Sequence, residues 1–159
     1  MKKLYIIILS CILAPVAIHA QTETNEADFF KAAFGLNKLD IYQNLINLAP
    51  ENSDSFWGLF QQYEEERLAL RAEKIILIQA YSDNYMILDN KDIDKMVKTS
   101  FSLNDKTSKL LRKYYKKLRK AGGSQAAGQF MQIETYFRSI AKATLYENLP
   151  LIGELDTLE

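Results

Sequence analysis

Apolar positions recur along most of the chain at three- and four-residue intervals, and polar punctuation cuts them into helix-length segments. Lys38 to Leu48 carries Leu39, Tyr42, Leu45, Ile46 and Leu48 in this pattern, until Ala49-Pro50-Glu51-Asn52-Ser53-Asp54 interrupts it. Ser53 or Asp54 then caps a new helix, predicted over residues 53–88. One face of it holds Phe56, Trp57, Phe60, Tyr63, Leu68, Leu70, Ile75, Leu77, Ile78, Tyr81, Tyr85 and Leu88. The opposite face is polar or small, with Ile76 its one large apolar residue. Neither Gly nor Pro falls between residues 59 and 88, so a helix of roughly 45–50 Å is expected.

Asp89-Asn90-Lys91-Asp92 reads as a turn followed by an N-cap. The next helix, Lys91 to Lys120, places Ile93, Met96, Val97, Phe101, Leu103, Leu110, Leu111, Tyr114, Tyr115 and Leu118 together, with lysines and Arg112 opposite. Ala121-Gly122-Gly123-Ser124 supplies a glycine stop and a new cap. A last helix runs from Gln125 to about Glu147, and Asn148-Leu149-Pro150 closes it. No strand pattern competes. The expected fold is all-α, with long antiparallel helical hairpins in an elongated bundle.

Three charges interrupt the apolar faces. Arg67 and Arg71 lie on that of the 53–88 helix, and Glu134 lies between Phe130 and Phe137 on the last. With turns near residues 90 and 122, Glu134 falls level with about residue 69, within one turn of both arginines. An ion pair that fixes helix register is one reading of this trio, and a charged recognition surface is the other.

The first twenty residues follow different rules. Met1-Lys2-Lys3 is basic, Leu4 to Ile18 is an apolar run broken only by Ser10 and Pro15, and Gln21-Thr22-Glu23 follows Ala20. This layout predicts a secretory signal peptide over residues 1–20, and its apolar run is short of the ~20 residues that span a bilayer. Residues 21–37 are then a flexible N-terminal segment with a short helix over Ala27 to Phe34. Residues 38–152 form the helical domain, and residues 153–159 a disordered acidic tail. Removing the signal removes Cys11 and His19, the only Cys and the only His. Disulfides, a Ser-His-Asp triad and Cys or His zinc sites go with them, so neither cofactor nor metal is expected.

The full chain is neutral, with 20 basic and 20 acidic residues; without Lys2 and Lys3 the balance is 18 to 20, or −2. No global nucleic-acid signature exists. The charge is nevertheless polarised, since residues 51–92 hold nine acidic and four basic residues, whereas Lys106 to Lys120 holds eight basic and no acidic ones. Lys106, Lys109, Arg112, Lys113, Lys116, Lys117 and Lys120 form a candidate basic binding face. It is either a solvated helix surface or an attractor for acidic clients or anionic headgroups. Phe56, Trp57, Phe60 and Tyr63 form a candidate apolar face, open to three readings: core, homodimer interface or client surface.

The segment Phe56-Trp57…Tyr63-Glu64-Glu65-Glu66-Arg67-Leu68 resembles small exported helical proteins of the Spy/CpxP (LTXXQ) type. So do Ile75…Ile78…Tyr81…Asn84-Tyr85, Lys113-Tyr114-Tyr115-Lys116-Lys117 and Phe130-Met131-Gln132-Ile133-Glu134, and together these cover about residues 38–152. Leu48-Ala49-Pro50-Glu51-Asn52 and Leu88-Asp89-Asn90-Lys91-Asp92 stand where that family has its Leu-Thr-x-x-Gln element. The resemblance implies a curved, often dimeric helical cradle in the periplasm, acting as an ATP-independent chaperone or a modulator of envelope-stress signalling. The expected function is therefore non-enzymatic binding of unfolded or envelope proteins. Docking on the exported domain of an envelope-stress sensor is the alternative. Nucleic acid and a membrane span after signal cleavage are not expected.

Overall fold

The computed structural model describes residues 35–152, and within them every regular element is helical, as the sequence pattern requires. The predicted signal peptide, the segment up to residue 34 and the tail over 153–159 lie outside the described residues. Helix α1 spans Lys38–Leu45, a 3₁₀ turn spans Pro50–Asn52, α2 spans Ser53–Ser82 and α3 spans Asn90–Glu147.

Helix boundaries depart from the sequence expectation where backbone groups find other partners. Ser53 opens α2 as a helical residue, and no side chain caps that end. Instead the 3₁₀ turn feeds the helix directly, with the Asn52 amide donating to the Ala49 carbonyl at 3.0 Å. At the other end α2 stops at Ser82, short of residue 88. The Asn84 side-chain amide donates to the Ala80 carbonyl at 2.9 Å, and its backbone amide to Tyr81 at 3.0 Å. These bonds satisfy carbonyls that another turn of helix would have used. Asp89 caps α3 as the sequence indicates, accepting from the Asp92 amide at 2.8 Å.

Within α3 the expected interruption over Ala121 to Ser124 shrinks to one residue, Gly123, at φ 84° and ψ 171°. That backbone conformation is essentially restricted to glycine. Gly122 has a different task. A Cβ there would lie 2.6 Å from Cδ2 of Phe56 and 2.7 Å from Cδ1 of Leu48, so the chain passes too close for a side chain.

Cross-helix contacts show the course of the chain around this break. Glu73 pairs with Lys106 and Glu66 with Lys113, so residues 90–122 run opposite to α2. Tyr63 touches Tyr114 before the break and Phe130 after it, at ring separations of 5.5 and 5.1 Å. Further on, the Tyr81 hydroxyl donates to the Pro150 carbonyl at 2.5 Å, so residues 124–147 run back alongside α2. The core sits where these arms and α1 converge, on Tyr42, Phe56, Phe60, Tyr63, Tyr114, Leu118 and Phe130. Each such side chain contributes on the order of 1.5–3 kcal/mol by leaving water.

Candidate functional site

At the centre of this core lies one acid. Glu134 is 2% exposed, and its two carboxylate oxygens accept from the Tyr42 hydroxyl at 2.5 Å and the Tyr63 hydroxyl at 2.6 Å. Lys38 approaches to 3.5 Å while also bonding Glu64 at 2.8 Å. Arg67 grips Glu64 through Nε at 2.9 Å and Nη2 at 2.8 Å. Helices α1, α2 and α3 are thus tied at one point by a continuous polar network inside an aromatic core.

Burial by itself would raise the Glu134 carboxyl, but the Lys38 and Arg67 charges and the two phenol hydrogen bonds outweigh it. The group is held ionised, below the ordinary carboxylate range. Burial pushes the Tyr42 and Tyr63 phenols far up, and the facing Glu134 charge adds to that. The network is complete: among the described residues, no buried side-chain nitrogen or oxygen lacks a hydrogen-bond partner.

Of the charged trio read from the sequence, Glu134 and Arg67 join this network, and Arg71 stands half-buried one turn beyond Arg67. Tyr42, Tyr63, Lys38 and Glu64 are participants that pattern reasoning missed. A tyrosine at helical spacing counts as apolar, and the acceptor for its hydroxyl belongs to another helix. Lys38 carried no sequence signal at all.

The candidate apolar face needs correction. Phe56, Phe60 and Tyr63 are buried and Trp57 is half-buried, so these residues are core and not an open surface. The Phe60 ring lies 4.8 Å from Tyr42, and α1 and the second arm of α3 cover the face. Among the described residues, exposed large apolar side chains lie instead near the α2–α3 turn, at Ile76, Met86, Ile87 (79% exposed), Val97 and Phe101 (66%), and near the two ends, at Leu36, Leu45, Tyr136, Tyr146, Leu151 and Ile152. Beside those at the turn a shallow groove of about 270 Å³ runs between Glu73, Ile76, Leu77 and Ala80 on α2 and Asp92, Lys95, Met96 and Thr99 on α3.

The candidate basic face divides in two. Lys106 is taken up by Glu73 at 2.8 Å and Lys113 by Glu66 at 2.7 Å, while Lys117 lies over the Tyr114 ring at 4.7 Å. Hydrogen bonds from Lys113 and Tyr114 hold the Glu66 carboxyl below its ordinary value. Lys109, Arg112, Lys116 and Lys120 point outward with Arg119, and none of the five has an ion-pair partner among the described residues. A smaller group lies across α2 and α3, where burial and then the Lys142 and Arg138 charges push Lys74 down.

Among the described residues, no group of three His, Cys, Asp or Glu side chains could hold a metal ion, and no helix is long and apolar enough to cross a membrane. Comparison with protein-family models, curated proteins and solved structures gave no match.

Proposed function

We propose that this chain is an exported, non-enzymatic helical binding protein of the Spy/CpxP-like type, a chaperone-like holder of unfolded or envelope protein clients. The observation that carries this reading is the run of exposed large apolar side chains at Ile76, Met86, Ile87, Val97 and Phe101. Single exposed hydrophobics are ordinary, but five within the last turns of one hairpin and its connecting turn make a patch. Lys95 lines the adjoining groove together with Glu73 and Asp92, and Lys98 is exposed one turn from Phe101, so charges of both signs border the apolar residues. Such a surface suits sticky apolar segments flanked by charges, and it requires no fixed partner geometry.

The test is suppression of light scattering by a chemically denatured client on dilution. The intact protein should suppress aggregation near equimolar ratio. Ile87→Ser with Phe101→Ser should lose most of that effect while keeping the thermal midpoint, because neither side chain is in the core. No suppression by the intact protein at equimolar ratio counts against a holder of clients. A single saturable partner in crosslinking would favour the sensor-docking alternative.

A further inference from the structure

We propose that the outer face of α3 over residues 109–120 is a docking stripe for an anionic lipid surface. Lys109, Arg112, Lys116, Arg119 and Lys120 are all exposed. They lie on the side of the helix opposite Leu103, Leu110, Leu111, Tyr114 and Leu118, which are buried. Lys109, Arg112, Lys116 and Arg119 follow one another at three or four residues, with Lys120 beside the last, so they share one face over about 16 Å.

Two features separate this line from a solvated helix face of the usual kind. Within the same stretch, the two cations that flank α2 are matched by its acids, Lys106 by Glu73 and Lys113 by Glu66. Here no acid occurs between Asp105 and Glu134 in sequence, and Glu134 is buried. Like charges at these spacings repel and weaken the helix slightly. An external anion would relieve that repulsion.

The stripe also lacks what a protein interface needs at its centre. No large hydrophobic side chain is exposed among residues 102–135. Specific protein partners are held by buried aromatic or aliphatic anchors, whereas a headgroup layer requires only a flat array of cations. Two grooves among the described residues lie elsewhere, one between Lys38, Phe60 and Leu68 and one beside Ile76. An exposed helix face whose charged residues are all cations is complementary to an anionic surface. By the antiparallel register it sits level with the first half of α2, at the other end of the hairpin from the Ile87 turn.

Vesicle co-sedimentation tests this with the full mature chain, using phosphatidylcholine alone and phosphatidylcholine mixed with phosphatidylglycerol. Binding is expected only to the mixed vesicles and should fall steeply as salt is raised. Each cation near such a surface is worth about fivefold in affinity. Lys109→Gln, Arg112→Gln and Lys116→Gln combined should therefore weaken binding by roughly a hundredfold. Lys106→Gln should change it little, because that cation already has Glu73. An unchanged circular-dichroism melt shows that the triple variant is folded. Equal binding to both vesicle types, undiminished binding by the triple variant, or capture by polyglutamate or duplex DNA without vesicle binding would each overturn the proposal. Ile87→Ser with Phe101→Ser should bind vesicles normally, which separates this failure from failure of client holding.

Discussion

Replacing Glu134 by leucine removes the acceptor of two buried phenols without opening a large cavity. Tyr42 and Tyr63 both donate to this carboxylate, and each is almost wholly buried, so water cannot take its place. A buried hydroxyl left without a partner costs about 1–3 kcal/mol, and two of them about 2–6. Removing one member of a buried ionic cluster costs about 3–5 kcal/mol by a separate route. The two agree on a loss of about 3–5 kcal/mol, a large part of the 5–15 kcal/mol typical of a single domain. Urea unfolding followed by the fluorescence of Trp57, the only tryptophan, reads this directly. With an m-value of about 2 kcal/mol/M, the midpoint should fall by about 2 M while m stays unchanged. Adding Tyr42→Phe and Tyr63→Phe to Glu134→Leu should restore much of the loss, since all three polar groups are then removed together. A loss under about 1 kcal/mol, or single-variant effects that simply add, would show that the three groups do not act as a unit.

Stability should also fall at both ends of the pH scale, for opposite reasons. The Glu134 carboxyl is depressed when folded, so its contribution is complete above the ordinary value of 4.5 and is lost as pH falls through the lower folded value. The Tyr42 and Tyr63 phenols are raised when folded, so theirs is complete below about pH 10 and is lost as pH rises beyond it. Tyr42→Phe with Tyr63→Phe should flatten the alkaline limb of a pH-resolved melting series, and an unchanged limb would place its origin elsewhere. At the break in α3, Gly122→Ala sets a methyl 2.6 Å from Phe56 and should cost about 1–3 kcal/mol by overpacking. Gly123→Ala should cost a similar amount, about 1–3 kcal/mol, through backbone strain alone. Thermal midpoints of the two variants check this, and a neutral Gly123→Ala would mean that the chain can reverse by another path.

Helical periodicity, the Pro50 and Gly123 punctuation and the Asp89 cap were legible residue by residue, because each depends on local backbone chemistry. The register of the helices was legible to within about a turn: Glu134, expected level with about residue 69, lies close enough to Arg67 to feel its charge. What one chain pattern could not contain was the fate of each face. Phe56, Phe60 and Tyr63 look alike as core or as surface until α1 and the second arm of α3 are laid over them. Lys106 and Lys109 are equivalent along the helix, and only the position of Glu73 on α2 neutralises one and leaves the other free. The Tyr42 and Tyr63 hydroxyls likewise acquire their role from Glu134, 92 and 71 residues away in sequence. Local structure is written in neighbours a few residues apart, where the sequence can be read directly. Burial, charge pairing and the open surfaces that bind are set by neighbours that only folding brings within reach.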